Sequence, residues 1–186
     1  MIKEKEIFNG VYKFELENHV DDRGFFSEIY KKTDLIEKIN NGVFIQDNLS
    51  FSKNKNTVRG LHYQLEPFDQ SKYVIVLKGK IWDVFVDLRE DSPTFLEYGF
   101  TELNENRSSV LIPKGFAHGF CTIAENTLVM YKVDKFYSKQ HERGIIWNDQ
   151  SLNIPWPVSE HDIILSDKDR ELPSLEIRKW RKIKKI

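Results

Sequence analysis

Only one cysteine, Cys121, occurs in 186 residues, and it sits in an apolar run. A single thiol excludes an internal disulfide framework, and its setting reads as a small buried residue instead of a catalytic thiolate. Charge of one sign is equally scarce. The 28 Lys+Arg and 29 Asp+Glu leave a formal net charge of -1. Such a chain has no overall field to draw in nucleic acid or an anionic membrane, so any anion site has to be built from local basic residues. Long apolar runs are missing too. No window is long enough to span a bilayer, and segment 1–10 is charged, without the apolar core of a secretion signal. The expectation is a cytoplasmic protein with no membrane contact. No linker, repeat or low-complexity segment divides the chain, so residues 1–186 are expected to form one domain with a substantial core.

What is present is a regular beat of short runs rich in Val, Ile, Phe, Tyr and Trp, separated by Gly, Pro, Asn and Asp. These runs predict strands over 43–52, 72–77, 80–88, 108–112, 117–123 and 127–134. The clearest alternation is Ile81-Trp82-Asp83-Val84-Phe85-Val86-Asp87-Leu88, where Trp82, Val84, Val86 and Leu88 share one face. Asp83, Asp87, Ile81 and Phe85 share the other. Lys78-Gly79 reads as the turn of a hairpin between two runs. The pattern argues for a mainly β sandwich or barrel with short peripheral helices, one over 33–40 stopped by Asn41-Gly42 and one started by Ser166 as N-cap. The tail 178–185 is basic with interspersed Ile and Trp, which reads as a solvated or self-packed terminus.

The residues that could carry chemistry centre on Thr57-Val58-Arg59-Gly60-Leu61-His62-Tyr63-Gln64, with Lys72 close behind. Histidine takes and returns a proton near neutral pH, arginine grips phosphate through a planar fork, and lysine steadies a developing oxyanion. Alone, a histidine in an apolar strand is usually a hydrogen-bonded core residue, and His62 reads that way first. A metal site would want an H-x-H pair, but the second position is Gln64, and with His118 supplying one further ligand there are two histidines and no convincing third. Arg59 and His62, three apart, point to opposite faces of a regular strand, so they serve one pocket only if Gly60 hosts a bulge. Gln46 and Asn48 share a face that lines either a polar cavity or solvent. Arg23 and Glu28 flank Gly24-Phe25-Phe26-Ser27, which is either a plain turn and strand or a place for a base to stack and a phosphate to bind. Tyr131 is packing, or a general acid or base if it faces a cavity. Asp169 could orient an imidazole if the chain folds back over the barrel.

Taken in order, these motifs resemble a known family. Asp22-Arg23-Gly24-Phe25-Phe26-Ser27-Glu28, Gln46-Asp47-Asn48, Val58 to Gln64, Lys72, Ile112-Pro113-Lys114-Gly115-Phe116-Ala117-His118-Gly119-Phe120, Tyr131-Lys132 and Trp147-Asn148-Asp149 look like dTDP-4-dehydrorhamnose 3,5-epimerases from about Asp22 to Asp169. The resemblance implies a cupin-type β-sandwich, or jelly-roll barrel, that works as a homodimer with no cofactor and no metal. It implies inversion of C3 and C5 of a nucleotide-linked 4-keto-6-deoxyhexose, converting dTDP-4-keto-6-deoxy-D-glucose to dTDP-4-keto-L-rhamnose through a C4 enolate. It assigns His62 as base, Asp169 as its partner, Tyr131 as proton donor on the opposite face and Lys72 as the enolate's counter-charge. Arg23, Glu28, Gln46, Asn48, Arg59, His118, Glu142 and Lys168 match substrate-contacting positions, and Phe26 and Phe136 are candidates for packing on the base. The chain departs from many relatives at Val133-Asp134 and at Phe136-Tyr137, where two tyrosines are common. Two other readings stay open at this point: an epimerase acting at C3 or C5 alone on a related nucleotide sugar, and a sugar-nucleotide-binding cupin without catalysis.

Overall fold

The aromatic and β-branched runs pair into two antiparallel sheets that face each other across a common core. This computed structural model describes residues 3–40, 42–105 and 107–175. The first strands are β1 (Lys3–Phe8), β2 (Val11–Glu15), β3 (His19–Asp21) and β4 (Gly24–Phe26), followed by the one-turn helix α1 (Lys32–Leu35) and a 3-10 turn at Glu37–Ile39. Then come β5 (Gln46–Ser52), β6 (Val58–Gln64), β7 (Lys72–Lys78), β8 (Lys80–Asp87) and β9 (Tyr98–Asn104). The described elements close with β10 (Ser108–Ile112), β11 (Phe116–Thr122), β12 (Thr127–Val133), β13 (Glu142–Gly144) and α2 (Asp167–Arg170). One sheet runs β1-β2-β10-β7-β12-β5, the other β13-β6-β11-β8-β9, and β3-β4 is a separate hairpin.

The faces of β8 fall as its alternation predicts. Ile81 and Phe85 point between the sheets, where they meet Val74, Val76, Val110, Phe120 and Val129. Trp82, Val84 and Val86 point outward, yet they are just as buried. Their cover is the segment after β13, which brings Ile145, Trp147, Leu152, Trp156 and Leu175 against them. Burial of apolar side chains this large contributes roughly 1.5–3 kcal/mol each. The two backbone bonds that tie Ile164 to Asn56 and Val58, both 2.9 Å long, contribute about 1 kcal/mol apiece. Packing therefore holds the segment down, and the hydrogen bonds set its register. That register delivers α2, with Ser166 at its N-cap accepting from the Asp169 amide at 3.1 Å, to the end of β6. A third cluster, Phe14, Leu35, Ile39, Tyr73 and Leu111, covers the outer face of the first sheet.

Three local readings change. Lys78-Gly79 is not a hairpin turn: β7 lies between β10 and β12, and β8 lies in the other sheet between β11 and β9. The turn is a corner where the chain passes between sheets. Alternation reports which way side chains face, not which strand pairs with which, and long-range burial decides the partners here. Gly79 has φ +83°, and a Cβ there would meet Thr127 Oγ1 at 2.5 Å. The helix expected over 33–40 is shorter and ends at Asn40, whose φ is +50°; Asn41 lies outside the described residues, as does the tail 178–185. β1 to β4 and β9 add strands that the apolar runs do not signal, because most of their residues are exposed or only half-buried.

Candidate active site

The bulge required at Gly60 is present. In the β6–β11 pairing His118 stands opposite His62 and Phe120 opposite Arg59, so three steps on β6 match two on β11. Gly60 takes φ +119°, and a Cβ on it would lie 2.6 Å from Gly119 Cα and 2.7 Å from the His118 carbonyl oxygen. Only glycine fits a backbone so placed. The extra residue turns both Arg59 and His62 into one cavity of about 330 Å³ between the sheets.

Of the residues singled out in the sequence, His62, Arg59, Lys72, His118, Tyr131 and Glu142 line this cavity, together with Lys168 and Asp169 from α2. His62 Nε2 lies 2.6 Å from Asp169 Oδ1. Burial by itself would raise the Asp169 carboxyl, but the hydrogen bond and charge of His62, aided by the Gly60 amide, outweigh it and hold the group below the usual carboxylate range. Lys72 donates to the His62 carbonyl oxygen at 3.2 Å. Its ammonium is buried, which brings its pKa down to about 8 against the opposing pull of Asp83 and Glu142. Tyr131 comes from β12 in the facing sheet. Burial pushes its phenol above the ordinary value, with Arg59 opposing, so at neutral pH it is a proton donor. Glu142 accepts from Lys168 Nζ at 2.6 Å and from the Tyr137 hydroxyl at 2.9 Å. Those bonds outweigh its desolvation and keep it ionised.

Six candidates are not brought into the cavity. Gln46 and Asn48 bond to each other at 2.7 Å on the strand face whose Ser50 does line it. Arg23 is paired with Asp21 at 2.6 Å on the exposed β3-β4 hairpin. Phe26, 70% exposed, stacks over His19. Glu28 borders a second cavity of about 420 Å³ beside Glu4, His19 and Lys31. Phe136 is 63% exposed, and the neighbouring Tyr137 lines the cavity in its place. Phe136-Tyr137 follows the end of β12, where strand parity no longer says which ring turns inward. Gln64 is explained as well: its amide donates to the Phe68 and Phe136 carbonyls and accepts from the Ser138 amide, so it ties loops together at the cavity wall. Among the described residues no group of three His, Cys, Asp or Glu is disposed to hold a metal ion, and no helix is long and apolar enough to cross a membrane. Burial raises the Cys121 thiol to about 12, which fits a packing residue.

The family model of dTDP-4-dehydrorhamnose 3,5-epimerase matches residues 5–176. The chain belongs to this family. It is 48% identical to the dTDP-4-dehydrorhamnose 3,5-epimerase of Shigella flexneri over 151 residues, which covers 80% of this chain and 82% of the relative. The Methanothermobacter thermautotrophicus dTDP-4-dehydrorhamnose 3,5-epimerase is 39% identical over 168 residues, 89% of this chain and 90% of the relative. Among solved structures, the Bacillus anthracis epimerase with TDP and PPi bound superposes with a TM-score of 0.88 at 48% identity, covering 94% of this chain and 100% of that one. The Legionella pneumophila epimerase in complex with dTDP-4-keto-L-rhamnose gives a TM-score of 0.88 at 34% identity, covering 97% of each chain. The cupin-like β fold and isomerase class expected of the epimerase family thus hold for this chain.

Proposed function

We propose that the protein inverts C3 and C5 of dTDP-4-keto-6-deoxy-D-glucose, giving dTDP-4-keto-L-rhamnose, with the cavity between the sheets as its active site. The observation that carries this reading is the His62–Asp169 pair at 2.6 Å sharing one cavity with Lys72 and with Tyr131 of the facing sheet. The C4 ketone acidifies the hydrogens on both neighbouring carbons. His62, oriented and charge-balanced by Asp169, takes a proton from one of them, and the electron pair moves onto the C4 oxygen. The Lys72 ammonium stabilises the enolate that results. Tyr131 then gives its proton to the carbon from the opposite face, which inverts the centre. Solvent resets both groups, and the sequence repeats at the second carbon. No step needs a redox cofactor. Arg59 and Lys168 at the cavity supply positive charge for the diphosphate.

The proposal includes a homodimer. Arg23, Phe26 and Glu28 do not line their own cavity, and the β3-β4 hairpin carries exposed Val20, Phe25 and Phe26. The edge strand β5 likewise turns Leu49 (65% exposed) and Phe51 (55%) outward. An apolar edge of this kind is suited to a second copy, whose hairpin would complete the substrate site. Sedimentation tests it: a dimer is expected, and Leu49→Glu with Phe51→Glu should give monomers. A monomeric native protein would end the idea. The cytoplasm is the proposed compartment, since a lone buried cysteine requires no oxidising one.

The decisive experiment is NMR of the enzyme with dTDP-4-keto-6-deoxyglucose in D2O. Deuterium should enter at C3 and C5 and the inverted sugar should accumulate. Label at one carbon alone would make it a single-centre epimerase, and binding without any label would make it a sugar-nucleotide carrier.

A further inference from the structure

Beside the His62–Asp169 pair stands a second histidine–carboxylate pair. His118 faces His62 directly across the β6–β11 pairing, and its Nε2 lies 2.8 Å from Asp83 Oδ2 on β8. Asp83 pairs through its backbone with Phe120, two residues from His118, so its side chain reaches the imidazole diagonally across the inner face of the sheet. The carboxylate is completely buried, and Asp83 is absent from the cavity lining while His118 is part of it. Its second oxygen, Oδ1, has no hydrogen-bond partner among the described residues. A buried carboxylate satisfied on one oxygen alone weakens a fold, and an apolar or amide side chain there would cost less. Packing therefore gives no reason for this residue.

We propose that Asp83 is a positioning residue of the epimerase site, which fixes the His118 imidazole with its Nε2–H turned away from the substrate and supplies the buried negative charge that balances the Lys72 ammonium. This rests on the function proposed above and deepens it. With Nε2 committed to Asp83, His118 presents Nδ1 to the cavity. Burial holds its imidazole below the ordinary histidine value, so Nδ1 is a hydrogen-bond acceptor and Lys72 is left as the donor to the enolate oxygen. The two duties are thereby kept apart on β11 and β7, strands of the two facing sheets. Asp83 is also the leading influence opposing the loss of the Lys72 proton to burial. The other charged and titratable groups lining the cavity are His62, Arg59 and Tyr63 on β6, Tyr131 on β12, Tyr137 after it, Glu142 on β13, and Lys168 and Asp169 on α2. Glu142 is already tied to Lys168 and Tyr137, and of the two carboxylates that act on Lys72, Asp83 has the larger influence.

The test is Asp83→Asn, which keeps the shape and removes the charge. It should lower kcat by about 10- to 100-fold, the range seen when the outer partner of a site residue is lost, with KM nearly unchanged. The alkaline limb of its kcat profile should move to lower pH, because an ammonium that loses its counter-charge gives up its proton sooner. Asp83→Glu should recover part of kcat. In 15N NMR of the folded native enzyme, His118 should show the proton on Nε2, a readout that needs no variant to fold. A native His118 protonated on Nδ1 alone, or an Asp83→Asn enzyme with native kcat and an unmoved alkaline limb, would overturn the proposal. If native enzyme with dTDP-4-keto-6-deoxyglucose takes up no deuterium, the function itself fails and Asp83 falls with it. An active native enzyme beside an unaffected Asp83→Asn removes Asp83 alone.

Discussion

His62 and Asp169 are 107 residues apart in the chain and 2.6 Å apart in the fold, joined at the point where α2 closes over the end of β6. The carboxylate both aims the imidazole and stabilises the imidazolium that forms when a proton is taken up. Loss of the base should therefore cost more than loss of its partner. His62→Ala is expected to lower kcat by about 10²–10⁴-fold, the contribution of a positioned general base, and Asp169→Asn to lower it less, with KM little changed in either. Steady-state kinetics on dTDP-4-keto-6-deoxyglucose checks both, and an active His62→Ala enzyme would move the base elsewhere.

Tyr131 stands on the sheet opposite His62, which separates proton removal from proton return. Tyr131→Phe keeps the ring and deletes the donor. His62 can still take a proton, exchange it with solvent and put it back on the same face. In D2O the variant should label unreacted substrate faster than it forms inverted sugar, whereas the native enzyme should couple the two. Inverted product forming at the native rate would exclude Tyr131 as the donor.

The spacing of residues carried much of this site, and its limits are physical. Period-two alternation placed Trp82 and Ile81 on opposite faces of β8 correctly, because side-chain direction is a local property of a strand. It failed at Lys78-Gly79, where the choice between hairpin and corner belongs to whichever sheet buries each strand. The conflict in parity between Arg59 and His62 pointed to Gly60, since a bulge was the one local device that could resolve it. Asp83 stayed hidden: a polar residue alternating with apolar ones looks solvated until the facing sheet buries it. Tyr137 was missed in favour of Phe136 because, past the end of β12, no periodicity says which ring turns inward.

Lys72 links pH to both activity and stability, in opposite senses. Its ammonium persists below about 8, so kcat should fall as pH rises through that value. The same shift is a cost to folding. The unfolded chain, with an ordinary lysine, binds more protons than the folded one between about 8 and the ordinary lysine value, so this group's destabilising effect is full below that window and is relieved as pH rises across it. Lys72→Met should then raise Tm at pH 7 while abolishing turnover, a trade expected of a strained active site. A lower Tm at pH 7, or turnover undiminished up to pH 10, would contradict the assignment.

Gly60 is where fold and chemistry meet, and a single methyl group tests it. Gly60→Ala meets two independent obstacles, the positive φ of +119° and the backbone of Gly119 and His118 within 2.7 Å. Gly24 offers a control, since its φ is +131° but nothing lies within 4 Å of a Cβ there. Gly24→Ala should lose about 1–3 kcal/mol, the conformational part alone. Gly60→Ala should lose roughly 2–5 kcal/mol, because overpacking against fixed backbone adds to the strain. Its kcat should drop as well, for the relief open to the chain is to straighten the bulge, which sends either Arg59 or His62 to the wrong face. Urea unfolding of both variants measures the difference. Equal losses would mean that crowding at Gly119 does not hold the bulge in place, and that His62 is aimed by Asp169 alone.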